Sequence, residues 1–245
     1  MTLNYKHMKK IIIIFVAFVF CTITTSAQSS FLKKVNYGVE VGTNISSVNF
    51  SGRIVDWELI NPQPEMKFGY QFGVFANYHI NDLFMVETGL SFMSKGYSLP
   101  KRTKSIGGFS IIKYSQTGSS YYLEMPFLFG VSYPIKELVI HLKVGPYIAY
   151  GVSGNVEIEK PSATINSDMF SDENIYPFKR FDYGGKLVLG IDFWKVSFDV
   201  YYDFGLANLA NFDDSKLSST AVGGGTFEND KVHSYSIGLT ARYKF

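Results

Sequence analysis

Eight stretches of this sequence alternate apolar with polar residues, and the connections between them alternate between short and long. The stretches run roughly over Val35–Val48, Lys67–Ile80, Leu83–Tyr97, Tyr121–Tyr133, Leu138–Gly151, Phe181–Phe193, Val196–Tyr202 and Tyr235–Phe245. A period of two is that of a β-strand with one apolar and one polar face. In the last stretch Tyr235, Ile237, Leu239, Ala241, Tyr243 and Phe245 interleave with Ser236, Gly238, Thr240, Arg242 and Lys244. Asn81-Asp82, Pro134–Glu137 and Trp194-Lys195 make the short connections, and long segments rich in Gly, Ser and Asn make the others. A sandwich would place long connections at both ends. Short turns at one end and long loops at the other predict an all-β fold: an eight-stranded antiparallel up-and-down transmembrane β-barrel with short periplasmic turns and four long extracellular loops.

The polar face argues the same way. It carries Glu40, Glu87, Glu124, Lys143, Asp182, Lys186, Asp199, Asp203 and Arg242, with Gly69, Gln71, Gly73 and Gly89 among them. Unpaired charges in a sandwich core are prohibitive. In a barrel the apolar stripe meets lipid, the charges line a narrow lumen, and closure leaves no unpaired sheet edge in hydrocarbon. Tyr37, Tyr78, Tyr133, Phe193, Tyr243 and Phe245 at the strand ends suit interfacial aromatic girdles. Counted up from the turns, Glu40, Glu87, Lys143, Asp199 and Arg242 fall at similar depth, with Glu124, Lys186 and Asp203 higher. Eight strands leave room only for side chains, so these charges are expected to pair across the lumen as a plug. A path for ions or protons is the competing reading. Pro126 and Pro146 each remove a ladder hydrogen bond and predict an irregularity between the fourth and fifth strands.

The amino-terminal segment reads as export. Lys9 and Lys10 precede an apolar run from Ile11 to Cys21, and Thr25, Ser26 and Ala27 precede Gln28. A positive start, an apolar core of about 7–15 residues and small residues before the cut describe a secretory signal peptide. Cleavage is expected between Ala27 and Gln28, giving a signal peptide over 1–27 and a barrel domain over 28–245. Met8 makes a better start than Met1. The single cysteine would leave with the signal, so no thiol chemistry is expected in the mature chain.

Charge and motifs exclude several functions. A net charge of +2, without a basic run, gives no reason to expect nucleic acid as a partner. No His, Cys and carboxylate spacing matches a metal site, and no cofactor is expected. A lipid-modifying enzyme would need a nucleophile, a base and an orienting group near the outer rim. His79 and His141 fall near the periplasmic turns, and His233 stands beside Asp230 and Ser234 as ordinary loop polarity, so no catalytic residues are assigned. Open porins use about 16–18 strands, which leaves a narrow pore as the transport alternative. The leading expectation is a binding or structural barrel read through its loops, including Trp57, Pro62, Pro64 and "SKLSSTAVGGGTF".

The segments "VETGLSFMSKGY", "YYLEMPFLF", "GPYIAYG", "FDYGGKLVLGIDF", "YDFGLANL" and "YSIGLTARYKF" resemble the PorT-like outer-membrane β-barrel family of Bacteroidetes, where "SAQ" also closes many signal peptides. The resemblance spans nearly the whole mature chain. It implies an outer-membrane location and supplies no catalytic residues. For its founding member it implies a part in assembling a secretion system, hence an envelope or extracellular protein partner. The aromatic end at Tyr243 and Phe245 resembles the signal read by the barrel-assembly machinery.

The terminal strand is therefore expected to be indispensable. Deleting Tyr243–Phe245, or Phe245→Asp, should abolish the folded, heat-modifiable band on gels of envelope fractions. Wild-type amounts of that band in either variant would contradict it.

Overall fold

The two ends of the chain meet as neighbouring strands. In the computed structural model, which describes residues 35–51, 64–99, 103–106, 109–112, 115–160, 163–171, 178–211 and 231–245, eleven strands follow one another. They are β1 (Val35–Ser51), β2 (Glu65–His79), β3 (Phe84–Leu99), β4 (Thr103–Ile106), β5 (Phe109–Ile112), β6 (Ser115–Ile135), β7 (Leu138–Lys160), β8 (Ala163–Asp168), β9 (Phe181–Phe193), β10 (Val196–Gly205) and β11 (Lys231–Lys244). Eight close an antiparallel ring in the order β1-β2-β3-β6-β7-β9-β10-β11 and back to β1. The seam between β11 and β1 is paired without interruption from Gly38↔Lys244 to Ser51↔Lys231. At the chain end the Phe245 amide donates to the Tyr37 carbonyl at 3.0 Å, and the Phe245 ring lies 5.8 Å from that of Tyr37. The cleavage site at Ala27 and Gln28 lies outside the described residues, as do Trp57, Pro62, Pro64 and the last-loop segment.

Burial is inverted relative to a water-soluble sheet. Leu239 on the outer wall is 59% exposed, whereas Lys143 inside is 1% exposed. From Phe68 to Tyr78 the outward side chains of β2 climb ten residues, which at ~3.4 Å each and a tilt of ~40° span roughly 26 Å. That matches the apolar band of about 25 Å expected of a transmembrane barrel.

The short turns follow local chemistry. Asn81 turns the chain by accepting the Leu83 and Phe84 amides on its side-chain oxygen at 2.9 and 2.7 Å. The other two turns place their first residue, Lys136 or Trp194, in the left-handed region at φ 55° and 54°. Positive φ there matches the strand twist of tight hairpins.

At the loop end the long connections carry strands of their own. Pairing of β6 with β7 continues to Ser115↔Glu159, well past the apolar alternation. The reason is physical: above the lipid the ladder persists, but nothing forces one face to be apolar, so the period fades. β8 adds to β7 above the point where β9 leaves it, and β4 and β5 form a separate hairpin. Around Pro126 and Pro146 the β6–β7 ladder skips from Pro126↔Tyr147 to Phe129↔Val144, and the β3–β6 ladder skips from Thr88↔Phe127 to Ser91↔Glu124.

Segments of the outer connections fold inward as an apolar lid. Met169, Phe170, Phe178, Leu209 and Ala210 are buried over the barrel mouth. Their backbone is tied down by Met169 N donating to Gly154 O (3.1 Å), Phe178 N to Met169 O (2.9 Å) and Leu209 N to Val232 O (2.8 Å). Phe170 seats where glycine leaves space: a Cβ on Gly151 or Gly154 would come within 2.5 or 2.8 Å of its ring. Arg180 braces it, donating to the Gly151 carbonyl at 3.0 Å while its guanidinium lies 4.8 Å from the Phe170 ring.

Ser120 lies beneath this lid. A cysteine placed there should resist a membrane-impermeant maleimide, and Phe170→Ser should raise its labelling rate severalfold. Fast labelling without the second change would contradict a closed mouth.

Candidate functional site

The lumen collects inward side chains from all eight ring strands, and its charges sort into two tiers. In the lower tier Arg242 of β11 is the hub. Its Nη2 lies 2.8 Å from Glu87 of β3, its Nη1 donates to Asp199 of β10 at 3.0 Å, and its Nε lies 3.4 Å from Glu40 of β1. Lys143 of β7 donates to Glu87 at 3.1 Å and to Asp199 at 3.0 Å. Glu40 also accepts from the Ser91 hydroxyl at 2.5 Å. The ring of Phe75 covers the guanidinium at 3.6 Å. Charge-assisted contacts of this kind offset part of the cost of burying each ion.

The upper tier is built on Glu124 of β6. It accepts from Lys186 of β9 at 2.6 Å and from Lys95 of β3 at 3.0 Å. Lys186 reaches Asp203 of β10 at 3.1 Å, and Asp203 accepts from Ser236 at 3.0 Å. Aromatic rings stack beside the ammonium groups, Tyr201 at 4.3 Å from Lys186 and Tyr147 at 5.0 Å from Lys95. The Tyr201 hydroxyl donates to Gln71, crossing the bore. Asp182 departs from the expected pattern: its carboxylate accepts from Ser234 at 2.8 Å and Tyr147 at 3.3 Å, and forms no ion pair among the described residues. Between this tier and the lid lies a cavity of about 20 Å³, room for a single water.

Several participants escape a reading that picks out charges strand by strand. Lys95 shares the inward parity of Glu87 on β3, so extending the count by four pairs of residues finds it. His141, close to a periplasmic turn in the sequence, is buried in the lumen. Its Nε2 lies 3.0 Å from Asp199 and its Nδ1 lies 3.4 Å from Asp192. Asp192 in turn holds Lys244 at 2.7 Å and Ser197 at 2.5 Å, which carries the polar chain to the turn end. The His141–Asp199 contact passes over Gly190 of the strand between them, where a Cβ would stand 2.2 Å from Asp199 Oδ1 and 2.4 Å from His141 Nε2. His233 does not join Ser234, since Ser234 faces the lumen and its neighbour on the strand faces out. Asp230 lies outside the described residues. Among the described residues no group of three or more His, Cys, Asp or Glu could hold a metal.

Sequence comparison adds a decisive match: the model of the outer membrane protein beta-barrel domain family covers residues 26–211. The chain belongs to this family. As an outer-membrane barrel it turns its short connections to the periplasm and its loops and lid outward. No curated protein matches the chain by sequence. Among solved structures it is similar to Ail, the attachment invasion locus protein of Yersinia pestis, seen with the heparin analogue sucrose octasulfate (12% identity, 86% of this chain and 99% of that one, TM-score 0.38). It is also similar to OprG of Pseudomonas aeruginosa (11% identity, 86% and 95% coverage, TM-score 0.46) and to the outer membrane enzyme PagL (10% identity, 82% and 97%, TM-score 0.37). An attachment protein and an enzyme both stand among these similar structures, and the likenesses assign no role.

Removing the hub should expose the tier's dependence on it. Arg242→Met leaves three carboxylates with fewer cations, and breaking a buried pair costs about 3–5 kcal/mol, less where water reaches Glu40. The urea midpoint for loss of the folded band should fall. Adding Glu40→Gln should recover part of it, and Glu87→Gln more, because Glu87 is the more deeply buried and closer partner. No recovery with either would contradict the assignment.

Proposed function

We propose that this outer-membrane barrel is a structural or binding protein that acts through its extracellular loops, in envelope integrity or in assembly of a secretion system. The observation that carries the reading is the filled bore: two tiers of paired charges lie below an apolar lid formed by the loops themselves. Eight strands enclose little more than their own side chains, and here those side chains are engaged with one another. What is left for recognition is loop surface on a rigid scaffold. The resemblance to PorT-like barrels of Bacteroidetes supports the secretion arm and an envelope or extracellular protein as partner. The export reading of residues 1–27 and recognition of Tyr243 and Phe245 by the barrel-assembly machinery belong to the same proposal.

The reading is non-enzymatic. Ser234 bonds Asp182 inside the lumen while His233 stands on the opposite face, so a serine–histidine pair does not form there. A second reading, a narrow path for ions or small solutes, is favoured by the polar chain from Lys244 through Asp192 and His141 to Asp199, which reaches the periplasmic rim.

Two measurements on one preparation separate them. Wild-type barrel in planar bilayers should give no steady single-channel current. Replacing residues 212–230 with a short Gly-Ser linker should preserve the heat-modifiable band yet abolish partner capture or secretion. Large steady currents altered by Arg242→Met, with loop replacement silent, would overturn the binding reading in favour of the pore.

A further inference from the structure

One lysine leaves the lumen for the lipid-facing wall. The β2–β3 ladder runs through Glu65↔Ser98 and Met66↔Tyr97, then resumes at Gln71↔Met93, so the four residues 67–70 of β2 are set against the three residues 94–96 of β3. This is a β-bulge, a device that re-aims side chains. Gly69 and Gln71 face inward, and by simple alternation Lys67 would too. Instead Lys67 lies across the outer face of Gly96, where an added Cβ would stand 2.8 Å from its Cδ, and its ammonium donates to the Ser119 hydroxyl of β6. Gly96 and Ser119 are paired and both lie on the outward parity, since Lys95, Tyr97, Gly118 and Ser120 point in. Ser46 of β1 repairs the opened ladder from within, accepting from the Gly96 amide at 2.7 Å and donating to the Gly96 carbonyl at 3.2 Å. The bulge is thus supported on its inner side while the lysine is presented on the outer side.

The height of this lysine is informative. Just below it the wall is aromatic, with Phe72 and Phe92 at 5.2 Å and Phe92 stacked on Tyr121 at 5.7 Å. Just above Tyr121 the same wall turns to Ser119 and Thr117. The switch marks the edge of the outer leaflet, so Lys67 stands at the level of lipid headgroups with its stem over the acyl-chain boundary. Among the described residues it forms no ion pair, and Glu157 on β7 is the acid whose charge acts on it. An ammonium has three donors, and Ser119 takes one.

We propose that Lys67 and Ser119 form a site for the phosphate of an anionic lipid in the outer leaflet, whose chains lie along the Phe72–Phe92–Tyr121 ladder. The lysine supplies charge, the serine hydroxyl a second donor, and the ladder the apolar contact that distinguishes a lipid from free phosphate. Basic groups at the membrane surface recognise lipid headgroups in this way. The site stands apart from the loops, so it can fail while the loop-binding reading holds, and the reverse.

The test is native mass spectrometry of the purified barrel, released from neutral detergent after titration with dioleoyl phosphatidic acid, dioleoyl phosphatidylcholine or inorganic phosphate. The wild type should retain phosphatidic acid in preference to phosphatidylcholine, and inorganic phosphate should not displace it. Lys67→Gln should weaken retention about tenfold, the loss of one charge-assisted contact. Ser119→Ala should weaken it less, and Lys136→Gln at the periplasmic turn should match wild type. The heat-modifiable band shows that each variant folds. Equal retention by Lys67→Gln and wild type, equal retention of phosphatidylcholine, or displacement by inorganic phosphate would each overturn the proposal.

Discussion

An arginine held inside a membrane is the constraint on which this barrel turns. Arg242 sits on the last strand, at the seam where the ring must close, and its guanidinium points away from lipid into a bore with little room for water. Bringing such an ion out of water costs several kcal/mol even after relaxation. The cost is offset because carboxylates converge from β1, β3 and β10, strands far apart in sequence. They meet only when the ring is closed. The electrostatics of the hub and the topology of the barrel are therefore one condition, and β11 cannot pair with β1 in another register without separating Arg242 from Glu40, its partner across the ladder.

The rest of the interior follows from that packing. Long charged side chains in a narrow bore need gaps on the adjoining strands, which glycine supplies: Gly190 of β9 lies between His141 and Asp199 and pairs with both, and a Cβ on Gly130, the ladder partner of Lys143, would meet the Lys143 stem at 2.7 Å. Aromatic rings at Phe75, Tyr147 and Tyr201 fill the remaining space beside the cations. Above the second tier the charges give way to a layer of serines, Ser46, Ser47, Ser120 and Ser234, and Met169, Phe170 and Phe178 complete the filling with apolar surface. The periplasmic end differs, for there Asp192 and Lys244 stay partly in contact with water.

How much of this the sequence discloses depends on whether a feature is periodic. Alternation showed which residues of each strand face lipid and which face the lumen, because a single-residue slip would turn every side chain to the wrong face. It also puts Glu40, Glu87, Lys143, Asp199 and Arg242 at similar depth, since depth in a tilted strand is a count from the turn. Lys95 and His141 were on the same parity, yet an isolated charge beyond the apolar run, or one near a turn, gives no hint that partners await it across the ring. Lys67 shows where counting fails outright, as one extra residue in β2 reverses its face. The lid was hidden for a different reason. Met169, Phe170 and Leu209 lie in connections without a period, and their burial depends on contacts between segments distant in the chain.

A filled bore and a water-filled one differ most at Arg242. Nitrogen-15 NMR of the folded barrel can read this at the hub, through exchange of the Arg242 guanidinium protons with solvent. A filled lumen predicts separate Nη signals, hindered rotation and slow exchange, because both terminal nitrogens are fixed against Glu87 and Asp199. A single averaged signal exchanging as fast as that of a solvated arginine would contradict it.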